Sequence, residues 1–363
     1  MLDYITPVNF FLGANTPTGF LGYLEDLYDC RDGWHVYLIK SGAGTGKSSL
    51  MRGILEQMTA AGHDAEVIRC SSDPQSLDGV LFHDQKLGIL DATAPHIIEP
   101  KYWGAVETIV NLGACMNTAR LREQAPAVIQ ATDACTALHE RCRKFIGAAA
   151  ALLSESTRIA QNCTDQEKVS RCAARIAARE FGSDSGQYGK ETRRFLSAVT
   201  PEGPLIFHET LQALCPRIYA LEDEYGAASR LLLAELRQRA LNAGLSIVTC
   251  ACPLSPQDKP EHLLIPSIGV GFTTSNSWHK AAFPVYRRLH AARFTDSERL
   301  RAKRQTLSFN RRAVRELINE AVQTAAQAKT AHDRMEEFYG AAMDWEQVGI
   351  LSRQVIDEFL HHP

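Results

Sequence analysis

A chain of 363 residues is long enough for two domains, each with a core of its own. With 45% hydrophobic and 22% charged residues and a net charge of -3, it reads as an ordinary globular chain, without bulk attraction to nucleic acid or anionic membrane. No apolar run reaches membrane length, the first residues lack a signal-peptide pattern, and the ten cysteines form no C-x-x-C pair; the expectation is a cytoplasmic protein with reduced core thiols.

In chain order, FFLGANTPTGFLGYLEDL (10–27) leads to an apolar strand, VYLIK (36–40), which runs directly into SGAGTGKSSLM (41–51). A helix follows, stopped at AAGHDAEVIRC (60–70) by an Ala-Gly pair and succeeded by a β-rich run ending in cysteine. The stretch SGAGTGKS fits the phosphate-binding pattern G-x-x-x-x-G-K-[ST], with Ser41 in place of the first glycine. Gly42, Ala43, Gly44, Thr45, Gly46, Lys47, Ser48 and Ser49 are therefore the candidate nucleotide-binding residues. Glycines let the backbone wrap until its N–H groups converge on a phosphate, and the helix N-terminus adds partial positive charge. Lys47 would bridge the β- and γ-phosphate oxygens, and Ser48 would offer its hydroxyl to Mg²⁺. No N-K-x-D guanine-reading element follows, so the expected nucleotide is ATP.

Further on, SSDPQSLDG (71–79) carries Asp73 and Asp78, and LGILDATAPH (87–96) places Asp91 at the end of an apolar run. An aspartate there suits the Mg²⁺ shell, making Ser48 and Asp91 the candidate metal residues. Ala92 stands where many ATPases carry a water-positioning glutamate. The activating group is sought among Asp73, His96 and Glu99, which with Lys47 and Asp91 complete the catalytic candidates.

A long helical pattern follows, with small or apolar residues from Val128 through Cys135, Cys142 and Ala149 to Leu152 in a 4-3 stripe. It fits one leg of an antiparallel arm, with DQEKVSRCAARIAAREF (165–181) as the returning leg.

Then the pattern repeats. RFLSAVTPEGPLIFHETL (194–211) shares F-L-x-A-x-T-P-x-G with residues 10–27, and RIYAL runs into EDEYGAASRLLL (222–233). With a shift of 182 residues Tyr37 meets Tyr219, Gly44 meets Gly226, Gly46 meets Ala228 and Lys47 meets Ser229, while Glu222, Asp223 and Glu224 crowd the entrance. A second stripe (Val314 to Phe338) and a second leg, DWEQVGILSRQVIDEF (344–359), complete the repeat. The expected fold is α/β: two tandem P-loop NTPase-like three-layer domains, 9–182 and 193–361, joined by GSDSGQYGK. Each is expected to carry a helical-hairpin arm, about 114–182 and about 296–361. Features kept in both copies read as structural, among them T-P-x-G as a strand-to-helix turn. Features beside the intact loop only read as functional: Asp73, Asp78 and Asp91 are all taken as lost from copy two.

Together FFLGANTPTGF, the glycine loop, SSDPQSLDG, LDATAPH and AMD (342–344) resemble a bacterial family of tandem P-loop proteins described as ATP-binding or nucleotide-kinase-like. In that family the second loop is often intact, and this chain departs there. The expectation is Mg²⁺-dependent ATP binding with slow hydrolysis by copy one, and an inactive copy two. The partner would be a small-molecule acceptor or an unknown protein. A small-molecule kinase, a non-catalytic nucleotide-gated module and a nucleic-acid-associated ATPase are the alternatives. For the last, residues 287–315 hold ten basic against two acidic residues, a local +8 that reads first as a solvated helix face.

Overall fold

The computed structural model describes residues 7–182 and 186–362, so part of the expected linker (183–185) lies outside the described residues. Copy one contains β1 (Val8–Phe11), β2 (Gly13–Thr16), β3 (Gly19–Gly22), β4 (His35–Lys40), α1 (Lys47–Ala60), β5 (Glu66–Arg69), β6 (Leu77–Phe82), β7 (Leu87–Asp91) and β8 (Glu107–Asn111). Three helices follow: α2 (Thr118–Glu123), α3 (Ala125–Gln161) and α4 (Gln166–Glu180). Copy two contains β9 (Glu191–Arg194), β10 (Ser197–Thr200), β11 (Gly203–Ile206), α5 (His208–Leu214), β12 (Arg217–Glu222), α6 (Ala227–Asn242), β13 (Ile247–Ala251), β14 (Pro260–Ile265), β15 (Val270–Ser275) and β16 (Arg287–His290). It ends with α7 (Ser297–Arg301), α8 (Arg304–Ala341) and α9 (Trp345–Leu360).

Two six-stranded mixed sheets stand in tandem, with matching orders β1-β5-β6-β7-β4-β8 and β9-β13-β14-β15-β12-β16. In each, the third strand runs antiparallel to both neighbours and the other pairings are parallel. The strand before the glycine loop reads as a continuous apolar run because both its faces are buried. On β4, Val36 and Leu38 face one core, while Tyr37 and Ile39 face another.

The first of these cores is shared. Val8, Phe10, Leu38 and Ile68 of copy one pack in it with Leu196, Leu211, Cys250 and Leu264 of copy two, so the sheets lie against each other. Phe11 donates its backbone N–H to Phe195, its own repeat counterpart, at 2.9 Å. The buried Arg194 guanidinium meets the buried Glu66 carboxylate across the same junction. The T-P-x-G stretches are β-hairpin turns, not the strand-to-helix turns expected. Thr16 and Thr200 each donate a side-chain hydrogen bond across the turn, to the carbonyls of Gly19 and Gly203 at 2.7 Å.

The helices depart most from expectation. No hairpin arm forms within a copy; α3 and α8 lie antiparallel against each other. The Cys135 and Cys142 thiols donate to the Ala328 and Ala321 carbonyls at 3.6 and 3.3 Å, and Asn310 reaches Ser156 near the other end. Small residues on both stripes permit this close approach, so the seam cysteines serve packing. All ten cysteines are free.

Each long helix thus carries the next helix to the opposite copy. Val169, Cys172, Ala173 and Ile176 of α4 enter the core of copy two beside α6, and Val348, Val355 and Phe359 of α9 enter the core of copy one beside α1. The exchange is reciprocal, as across a two-fold axis. Asp165, which caps α4, donates its N–H to Phe294 at 2.7 Å; Asp344, which caps α9, donates to Cys115 at 2.8 Å. Among the described residues, no helix is long and apolar enough to cross a membrane.

Candidate functional site

The edge of the copy-one sheet at the C-terminal ends of β4 and β7 gathers most of the candidates. Residues 41–46 form the connection from β4 to α1, with Gly44 and Gly46 at φ 61° and 91°, where a side chain would be strained. The Thr45 hydroxyl donates to the Gly42 carbonyl at 3.0 Å, closing the turn on itself. Lys47, the first residue of α1, donates from Nζ to the same carbonyl at 2.5 Å and lies 3.6 Å from Asp91 Oδ2. Asp91 is placed there by strand register, since β7 pairs beside β4 with Ile39 opposite Asp91. Its other oxygen accepts the N–H and hydroxyl of Thr93, at 2.9 and 2.5 Å, which fixes the carboxylate's orientation. Ser48 accepts the Leu77 N–H at 3.1 Å, tying α1 to β6. Ser48 Oγ and Asp91 Oδ2 are the oxygens beside the loop that could serve as ligands to a Mg²⁺ ion.

The other candidates divide. Glu99 is held away by Lys40, whose Nζ contacts it at 2.6 Å and also donates to the Ala92 and Ile98 carbonyls. Asp73 organises its own turn through Ser76 and Gln75 and faces Lys329 of α8 at 3.7 Å. His96 is buried, with Nε2 3.2 Å from Asp78 Oδ2, while its Nδ1 has no hydrogen-bond partner among the described residues. Burial is the largest single influence and disfavours the charged imidazolium, but the Asp78 and Asp91 carboxylates together prevail, so the His96 pKa is raised overall.

Sequence reasoning missed what covers this loop, because the cover comes from the other copy. A Cβ added at Gly42 would lie 2.9 Å from the Tyr339 ring, and one at Gly44 would lie 2.7 Å from Glu336 Cβ. A Cβ at Gly46 would meet Trp345 at 3.4 Å. These glycines therefore also admit the corner where α8 turns into α9. A scan of protein-family models and searches of curated proteins and solved structures find no match to this chain.

The second copy gives an internal comparison, and the structure corrects its register. Beyond β13 the shift becomes 183: Glu66 pairs with Leu81 and Val248 with Leu264, with the bulge at the equivalent place in each copy, between Ile68 and Arg69 and between Cys250 and Ala251. Asp78 therefore corresponds to Glu261 and is kept as an acid, not lost. His96 corresponds to His279, and the pair recurs, His279 Nε2 standing 3.1 Å from Glu261. The His–carboxylate pair thus belongs to the shared architecture. Asp91 corresponds to Thr274, so that carboxylate is absent from copy two.

The α6 helix begins at Ala227, two residues sooner than the 182 shift from Lys47 to Ser229 implies, and so winds the counterparts of Thr45 and Gly46 into helix. Asp223 then takes over the helix end. Its Oδ1 accepts the N–H groups of Tyr225 and Gly226 at 3.2 and 3.1 Å, and its Oδ2 accepts that of Ser229 at 2.8 Å. The expectation that three carboxylates crowd this entrance holds for Asp223 only. Glu222 is bound to Arg288 and His290, and Glu224 to Ser277. Lys259 packs its Cε 3.2 Å from where a Gly226 Cβ would lie and reaches Glu261 at 3.1 Å.

Proposed function

We propose that copy one binds Mg·ATP through residues 42–49 and hydrolyses it slowly, with copy two as a partner that binds no nucleotide at its own loop. The observation that carries this reading is the placement of Lys47. Its ammonium sits at the start of a helix, between a loop carbonyl and the carboxylate at the end of the neighbouring strand. Both contacts are ones a phosphate could exchange for, while Asp91 turned to a metal shell and the loop N–H groups took the anion.

Slow turnover follows from what surrounds Asp91. Ala92 comes next, Glu99 is engaged by Lys40, and Asp73 is engaged by its own turn and Lys329. Bound Mg²⁺ would offset the phosphate charge; Lys47 would position the γ-phosphoryl, and Ser48 and Asp91 would orient the ion. The α8–α9 corner on Gly42 and Gly44 supports a second element of the reading. A change in this loop on binding presses on helices rooted in copy two, so nucleotide state is communicated between copies. The direct test is phosphate release from Mg·ATP, wild type beside Lys47→Ala, with binding measured in parallel. Equal binding and turnover in the two would remove the assignment.

A further inference from the structure

Copy two carries a second candidate site, away from its own loop. Between α4 and β16 lies a cavity of about 360 Å³ lined by five arginines: Arg175 and Arg179 from α4, Arg287 and Arg288 from β16, and Arg293 just beyond. Two of these have partners. Arg179 is bound to Glu180 and the Tyr219 hydroxyl, and Arg288 to Glu222 and the Ala281 carbonyl. The side chains of Arg175, Arg287 and Arg293 have no hydrogen bond or ion pair among the described residues. Guanidinium groups gathered around one cleft repel one another, so the arrangement calls for a reason.

Packing does not supply one, as copy one demonstrates. There α9 takes the place of α4 and β8 the place of β16, with Tyr37 opposite Thr108 as Tyr219 is opposite Arg287. Counting from the capping residues Asp344 and Asp165, the positions of Arg175 and Arg179 are Gln354 and Glu358. Those of Arg287, Arg288 and Arg293 are Thr108, Ile109 and Ala114. The same helix–strand junction is built with no arginine at these five positions.

We propose that this cleft binds a small, multiply phosphorylated ligand. The planar guanidinium fork matches phosphate oxygens two at a time, and the volume falls in the range of small-ligand pockets. Five arginines around one cleft, three of them without a carboxylate partner among the described residues, suit a compact polyanion better than an extended strand, which needs a track of charges. The inference stands apart from nucleotide binding by copy one.

The test uses the full chain carrying Lys47→Ala, so that the glycine loop does not compete, and titrates it calorimetrically with inorganic triphosphate. One saturable site per chain is expected. R175Q, R287T and R293A, each installing the residue copy one uses, should each weaken binding about tenfold, and together by at least about 100-fold. Far-UV circular dichroism checks the triple variant's fold; should that variant fail to fold, R287T alone gives the reading. Three results would each overturn the proposal: no saturable binding by the parent, unchanged binding by the arginine variants, or displacement of triphosphate by single-stranded DNA at lower concentration. The last would make the cleft part of a nucleic-acid track continuing onto residues 299–315.

Discussion

The Asp223 carboxylate accepts the backbone N–H of Ser229 at 2.8 Å, closing the helix end of copy two with the protein's own anion. A phosphate arriving there would have to displace a carboxylate that is buried and bonded to three N–H groups. Replacing Asp223 with alanine should destabilise the protein by about 1–2 kcal/mol, the usual worth of an N-terminal cap, read from urea denaturation. The variant should still bind one molecule of a non-hydrolysable ATP analogue per chain, since Ser229 supplies no charge. A second nucleotide that still binds when Arg175, Arg287 and Arg293 are replaced, in this variant or the wild type, would restore two working loops.

Lys47→Ala should abolish Mg·ATP turnover with little loss of stability, because among the described residues Nζ bonds only to the Gly42 carbonyl and pairs with Asp91. Asp91→Asn should shift the Mg²⁺ titration of activity more than it weakens nucleotide binding, since an amide oxygen is a poorer ligand for a hard cation. An unchanged Mg²⁺ titration would move the metal role to another carboxylate.

Gly44→Ala should remove nucleotide binding and stability together. The new methyl would sit 2.7 Å from Glu336 Cβ on a residue at φ 61°, and a left-handed backbone alone costs an L-residue about 1–2 kcal/mol. Thermal unfolding of this variant beside Lys47→Ala separates the two effects; equal melting temperatures would mean that α8 does not rest on the loop.

Acid should loosen the junction between the copies. Burial opposes ionisation of Glu66, but Arg194 and His83 prevail and hold its pKa down to about 2, below the usual glutamate value of about 4.5. A carboxylate with a depressed folded pKa contributes stability that is fully present above about 4.5 and is lost as the pH falls toward 2. Glu66→Gln should flatten that part of the stability–pH curve. It should also lower stability at neutral pH, since it removes the carboxylate charge that Arg194 and His83 share.

Neither copy should fold alone. A fragment covering residues 1–187 leaves α1 without Val348, Val355 and Phe359, and leaves the apolar face of α4 without α6. Co-expressed with residues 188–363 it should co-purify as a one-to-one complex with the full-length circular dichroism spectrum. A monomeric, cooperatively folded fragment would overturn this.

The tandem repeat, the strand–loop–helix units and the two long helical stripes were legible because they rest on local chemistry. Glycine spacing, apolar runs and the capping aspartates act within a few residues of themselves. The loss of the lysine and of the Asp91 counterpart from copy two could be read by counting. The one-residue change of register could not, because only the pairing of β13 with β14 reveals that Glu261 stands for Asp78. Nor could the destination of α4 and α9. Their apolar faces, Val169 and Ile176 on one and Val348 and Val355 on the other, match position for position, so the sequence pattern suits docking on either copy. The sequence by itself therefore determined which elements form and which loop keeps its glycines and lysine. The partners of those elements were decided by tertiary structure: a rigid helix from Ala125 to Gln161 carries the next helix away from its own sheet, and its antiparallel twin brings the cover of the glycine loop back from the other copy.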